Sequence, residues 1–152
     1  EKPASMHTLV LASAAEAVDA ARSRGGELLL SQADGPDEGW FGIETMTPER
    51  RAEMLAAPAR YVTLRREGEP VAVGRLAMID DWAGLFNLRV SPGARGQGIG
   101  RRLLGEMLAQ AVIDGASFAF LQVMDNNQVA RALYDDLGFM PHHSYAFWAP
   151  NA

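Results

Sequence analysis

The stretch SPGARGQGIGRRLL, residues 91–104, places Gly93, Gly96, Gly98 and Gly100 directly before a helical pattern. Glycine caps a helix less well than Ser, Asp or Asn, and inside a helix or strand it costs about 0.5–1 kcal/mol relative to Ala. Four of them therefore need a reason. One is a tight strand-to-helix turn. The other is ligand chemistry: the first N–H groups of a helix lack internal acceptors, the helix dipole adds partial positive charge, and glycines let an anion approach the amides. Arg95, Arg101 and Arg102 raise the local positive potential in a chain of net charge −5. The spacing R-G-Q-G-x-G differs from the dinucleotide G-x-G-x-x-G and from the nucleotide G-x-x-x-x-G-K-[ST] patterns. As a ligand site, the loop points to a phosphate without saying which one.

Few other side chains carry obvious chemistry. There is no cysteine, which excludes disulfides, thiolate metal sites and a Cys nucleophile. His7, His142 and His143 lack metal-ligand spacing, so no metal is expected. Tyr134 lies four residues after Ala130, at the edge of an apolar stripe, either as a packing residue or as a proton donor. Asn127 stands before the same helical pattern and is equally a helix cap and a ligand contact. Trp40, Trp82, Phe86 and Trp148 either line a pocket or fill the core.

A single domain of 152 residues must position these groups. Its acidic balance argues against nucleic-acid binding, and no apolar run is long enough for a membrane span. A cytoplasmic location is expected. Residue 1 is Glu, so the chain reads as a processed product or a piece of something longer. Residues 7–12 read as a strand, 14–24 as a helix closed by Gly25-Gly26, 27–32 as a strand and 33–39 as a loop. Thr47-Pro48 opens a further helix. Residues 60–66 and 71–79 form an antiparallel hairpin. In 84–90, alternation puts Phe86, Leu88 and Val90 on one face and Leu85, Asn87 and Arg89 on the other. Ile99, Leu103, Leu104, Met107, Leu108, Ala111 and Val112 form one helical stripe. The run 117–124 is apolar enough for a central strand. Residues 126–138 make a short helix with an Arg131–Asp135 pair, and Phe139 and 143–148 supply closing strands. The order indicates an α/β (α+β) domain with a mixed sheet.

LRVSPGARGQGIGRRLL followed by FLQVMDNNQVARALYDDLGF resembles the GNAT superfamily of acyl-CoA-dependent N-acetyltransferases. Arg95, Gly98 and Gly100 meet the family's [RQ]-x-x-G-x-[GA] signature. Val123, Asn127, Ala130, Leu133, Tyr134, Leu137, Gly138 and Phe139 meet its second signature. The resemblance covers roughly residues 60–149 and makes 60–152 the acetyl-CoA-binding core, with 1–59 an N-terminal strand and helix leading into the fold. DDWAGLFNLRV and HHSYAFW are similar to C-terminal halves of bacterial tandem GNAT proteins.

The resemblance implies a mixed, mostly antiparallel sheet with a splayed parallel strand pair flanked by helices. It implies acetyl-CoA as cosubstrate, with the pyrophosphate on the amides around Arg95, Gly96, Gln97, Gly98, Ile99, Gly100 and Arg101. The pantetheine arm would lie along the backbone of Leu88 and Val90 and bond Asn127. Tyr134 would protonate the leaving thiolate, and the Val90 amide would face the oxyanion. The partner would be a small-molecule or peptide amine, and a homodimer or a tandem partner domain is open. The family often has a strand Glu as base, which GLFNLRV lacks; Asp80, Asp81, Glu44, His142 and His143 are the candidates. Three functions compete: a direct-attack N-acetyltransferase, a non-catalytic acyl-CoA-binding module, and a nucleotide-binding domain unrelated to CoA.

Overall fold

The computed structural model describes residues 4–21 and 28–147. Its elements are β1 (Ala4–Leu11), α1 (Ala14–Ala21), β2 (Leu28–Ala33), α2 (Glu38–Ile43), α3 (Pro48–Leu55), β3 (Arg60–Arg66), β4 (Glu69–Ile79), β5 (Trp82–Val90), a short 3-10 turn at Pro92–Ala94, α4 (Ile99–Ile113), β6 (Phe118–Met124), α5 (Gln128–Asp136) and β7 (Met140–Phe147). The seven strands form one sheet in the order β2-β3-β4-β5-β6-β1-β7. Every neighbouring pair is antiparallel except β5 and β6. Their parallel pairing spans only Trp82–Leu85 against Phe118–Leu121, so the C-terminal halves of both strands part from each other. The expected splayed pair is present.

The chain's first strand lies inside the sheet, between β6 and β7. That position brings His7 Nε2 to 2.9 Å from Asp125 Oδ1. Arg131 Nη1 joins the same oxygen at 2.9 Å, in place of the expected partner Asp135. The hydrogen bond from His7 is the main reason the Asp125 carboxyl is held below the usual carboxylate range.

One sheet face carries α1, α4 and α5 over the main core. The predicted α4 stripe is buried there, from Ile99 to Ala111, with Val112 half-buried, and it packs against Val62, Leu64, Leu76, Leu85 and Leu121. The other face carries a smaller cluster of Trp40, Tyr61 and Val73, with Met54 from α3 packed against it. Thr47 caps α3 as its sequence predicts, its side chain accepting from Arg50 N at 3.3 Å. Helix α2 was not expected; Gly39 and Gly42 within six residues disguise it. Asp37 Oδ1 caps it at 2.9 Å from Trp40 N, the one local sign that was available. The expected Gly25-Gly26 helix stop and Trp148 lie outside the described residues.

The alternation expected for 84–90 fails at Asn87. Val73 pairs with Arg89 and Arg75 with Phe86, so Gly74 alone opposes both Asn87 and Leu88. This is a β-bulge, with Asn87 at φ 54°. The extra residue shifts the side-chain phase, and Leu85, Leu88 and Val90 all pack with the main core. Phe86 turns to the other face, where its ring lies 5.7 Å from that of Phe120. Gly74 makes the bulge possible, because a Cβ there would sit 2.6 Å from Met107 Sδ and 3.2 Å from Leu88 Cδ2.

Candidate functional site

The loop between β5 and α4 is built as the glycines suggest. Gly96 and Gly98 both adopt φ 76°, a left-handed conformation that side chains disfavour. Gly98 is the N-cap of α4 and supplies no side-chain cap. The amides of Ala94 and Arg95 close the preceding turn, and Arg102 N is the next with an acceptor, bonding Gly98 O at 3.1 Å. The N–H groups of residues 96–101 between them have no acceptor among the described residues. Six successive donors at a helix N-terminus form a concentrated positive backbone surface. No Cβ at Gly96 or Gly98 would meet another atom within 4 Å, so the space in front of the loop is open.

The arginines divide differently from the sequence expectation. Arg101 is tied down, its guanidinium bonding Ala20 O at 2.7 Å and Asp136 Oδ2. Arg102 pairs with Glu106 at 2.9 Å. Both charges are thus locally balanced, and Arg101 serves to brace α1 and α5 against α4. Arg95 has no carboxylate partner among the described residues and donates to Val90 O at 3.3 Å. Arg66, from the end of β3, reaches the loop through Gln97 Oε1 at 2.6 Å. It went unrecognised because 31 residues separate the pair and nothing local marks it.

Val90 and Leu88 lie on the part of β5 that has left β6. Ser91 N bonds Val71 O on β4 at 2.8 Å, so by alternation the backbone groups of Val90 and Leu88 point into the gap between β5 and β6. That edge is a template for hydrogen bonds with an extended ligand. The Val90 carbonyl already receives Arg95 but keeps a second lone pair.

Tyr134 lies on α5, on the main-core side of the sheet. Its ring is buried to 7 % exposure and lies 5.8 Å from Phe139. Its hydroxyl bonds no described residue, yet it is not one of the fully enclosed unpartnered polar atoms. Burial pushes the phenol up to about 12, which keeps it protonated at neutral pH. Asn127 caps α5, with Oδ1 accepting from Ala130 N at 3.3 Å. The cap uses its carbonyl and leaves the amide NH₂ available.

On the opposite face, α2 delivers an acid. Trp40 is buried and donates from Nε1 to Gly74 O at 3.1 Å, anchoring α2 at the bulge. Glu44, the C-cap residue of α2, faces Asn87 Nδ2 at 3.5 Å and Arg89 Nη1 at 3.8 Å. Its side chain is 18 % exposed. Asp80 and Asp81 sit at the far end of β5, at least six residues from Asn87, or roughly 20 Å at the rise of a strand. His142 and His143 lie on β7, two strands beyond β6, and face each other with ring nitrogens 2.8 Å apart. Of the candidate bases, only Glu44 is brought to the parted strands. Trp40 is a core residue and no pocket wall, whereas Phe86 and Trp82 stay half-buried in a row with Phe118 and Phe120. Among the described residues no group of three metal-capable side chains gathers, and no helix is long and apolar enough to cross a membrane.

A model of the acetyltransferase (GNAT) family matches residues 27–139. An uncharacterized N-acetyltransferase of Bacillus subtilis, YobR, is 39% identical over 110 residues, covering 66% of this chain and 44% of that protein. A [ribosomal protein bS18]-alanine N-acetyltransferase of Escherichia coli is 36% identical over 82 residues, covering 53% of this chain and 55% of that one. The matches therefore span about half the length of these relatives. Among solved structures, a tandem GNAT protein from the clavulanic acid biosynthesis pathway superposes on 100% of this chain and 55% of its own, at TM-score 0.75 and 16% identity. The Escherichia coli ribosomal-protein-S18-alanine N-acetyltransferase superposes on 81% of this chain and 97% of its own, at TM-score 0.66 and 20% identity. These two likenesses concern the fold.

Proposed function

We propose, on the premise that this chain belongs to the acetyltransferase (GNAT) family, that it moves an acetyl group from acetyl-CoA to a primary amine by direct attack in a ternary complex. One observation carries the reading: six acceptor-less amides, 96–101, stand beside an unpaired strand edge at Leu88 and Val90. A diphosphate suits the amides, aided by Arg95 and Arg66, and the amides of a pantetheine arm suit the edge. The NH₂ of Asn127 would bond the same arm. An arm running from the loop back along β5 ends where β5 and β6 rejoin, near Phe86 and Asn87.

There the two faces of the sheet offer complementary groups. Glu44 takes the proton from the attacking nitrogen, directly or through water, as the new C–N bond forms. The Leu88 N–H, next to Asn87 on the unpaired edge, faces the carbonyl oxygen that gains charge in the transition state. The Val90 amide expected in that role lies three residues from Asn87, about 10 Å farther along the strand, and serves the arm. As the C–S bond breaks, the Tyr134 hydroxyl donates toward the departing sulfur. A phenol near 12 is a weak acid against a thiol near 8.5. Complete proton transfer from it to sulfur is therefore uphill. Tyr134 then keeps its proton and stabilises the departing thiolate by a hydrogen bond, while the proton from nitrogen stays on Glu44 until water carries it off. The thiolate takes a proton from solvent after release, so the net change is one proton moved from nitrogen to sulfur.

A second reading, a non-catalytic acyl-CoA-binding module, draws on the relatives that are about twice as long. Calorimetry with CoA and a CoA-release assay over an amine library separate the two. Binding with turnover supports the enzyme, binding without turnover on any amine supports the module, and no binding rejects both.

A further inference from the structure

The face that carries Glu44 also holds positive charge that no described residue balances. Four side-chain polar atoms among the described residues are enclosed without a hydrogen-bond partner, and three of them are Arg51 Nε, Tyr61 Oη and Arg75 Nε. Tyr61 and Arg75 lie between α3 and the sheet, and Arg51 stands on the same helix against Phe41 of α2. Tyr61 and Arg75 are cross-strand partners. The Arg75 guanidinium lies 6.0 Å from the Tyr61 ring centre and 5.5 Å from that of Phe86. Its hydrogen bond goes to Met54 O on α3, at a long 3.4 Å. One turn earlier on α3, the Arg51 guanidinium lies 3.9 Å over Phe41. Neither arginine has a carboxylate within ion-pair distance among the described residues.

Aromatic faces offset part of the cost of taking a guanidinium out of water, about 0.5–2 kcal/mol each. They supply no acceptor for the enclosed Nε–H groups, and buried polar groups are otherwise nearly always bonded. An anion with planar oxygens would answer this, since it matches the guanidinium fork. The place is informative. Arg75 faces Phe86 across the ladder, and the next residue, Asn87, holds Glu44. A cationic and an anionic group therefore flank one corner of β5, at the point where the strands part.

We propose that Arg75, backed by Arg51 and Tyr61, recognises a carboxylate of the acceptor, so that the amine acetylated carries a carboxylate a few bonds away. This rests on the acetyl-transfer reading above. The site stands beside the apolar row of Phe86 and Phe120, so suitable probes are phenylalanine against phenylalaninamide for a free amino acid, and Ala-Asp against Ala-Asn, both amidated at the C-terminus, for a peptide. Each is titrated by calorimetry with CoA present and assayed for CoA release with acetyl-CoA. In at least one pair the acid is expected to exceed its amide at least tenfold in kcat/KM, through KM. Arg75→Met should erase that ratio and leave CoA affinity at the wild-type value. Tyr61→Phe, which keeps the packing ring, should reduce the ratio severalfold. Equal kcat/KM for acids and amides, or a preference that survives Arg75→Met, overturns the proposal. If the wild type neither binds CoA nor turns over, the acetyl-transfer reading fails instead, and the carboxylate site is decided by binding alone. Tighter binding of either acid than of its amide, lost in a folded Arg75→Met variant, sustains it; equal binding overturns it.

Discussion

The mouth of α4 and the corner of β5 at Asn87 lie on one proposed cofactor path but are built in opposite ways. The mouth consists of contiguous residues, and its unpartnered groups are backbone amides whose arrangement depends on glycines at positive φ. The corner is assembled from α2, β4 and β5, with Glu44 and Asn87 separated by 43 residues. The groups proposed to work there are side chains held by other side chains. Backbone sites tolerate changes in their neighbours and fail when a glycine is lost. Side-chain sites should fail gradually, as each support is removed.

The largest effect is expected at the mouth. Gly98→Asp places a carboxylate and a strained φ among the six amides, and CoA affinity should fall at least a hundredfold by calorimetry, with the circular dichroism spectrum retained. Unchanged affinity would show that the amides are not the binding surface. Next comes Tyr134→Phe, which should lower kcat by about a hundredfold, within the usual range for losing one hydrogen bond to a developing charge, while CoA affinity stays constant. Because burial holds this phenol near 12, wild-type kcat should not fall from its ionisation below about pH 10. The sign for stability is the same: the raised value favours the neutral phenol in the folded state, a contribution present below pH 10 and lost as pH rises through about 12. Glu44→Gln tests the corner. A loss of roughly tenfold in kcat/KM near neutrality, within the span of general-base effects, should shrink as pH rises and the free amine becomes abundant. A loss that is constant with pH would make Glu44 a packing residue.

Two smaller changes probe the supports. Gly74→Ala drives a methyl group into Met107 and Leu88, and overpacking of this kind costs about 1–3 kcal/mol, readable in urea unfolding. If the bulge positions Glu44, the same variant should also lower kcat/KM. Asn127→Ala removes a helix cap worth about 1 kcal/mol. A change in CoA affinity beyond that seen with Asn127→Asp, which keeps the capping oxygen but loses the NH₂, would separate the cap from the ligand contact.

Much of the fold could be read along the chain because its causes are local. The α4 stripe, the Thr47 cap, the hairpin turn at Glu67-Gly68 and the interior position of β6 follow from spacing and residue type. Helix α2 escaped because two glycines lower its propensity, and its stability comes from burying Trp40 against Tyr61 and Gly74. The phase of β5 escaped for a related reason. Period-two alternation assumes an unbroken ladder, and a single extra residue inverts every side chain beyond it.

The unpartnered amides, the glycines among them and the helix that carries Tyr134 can all be read from neighbouring residues, which define backbone conformation and helical phase. Tertiary structure alone decided which charges remain unbalanced. Among the described residues Arg101 and Arg102 found carboxylates, Arg51 and Arg75 did not, and Glu44 became the one candidate acid at the parted strands. Electrostatic partnership depends on distances across the folded sheet, and residue spacing along a chain does not encode them.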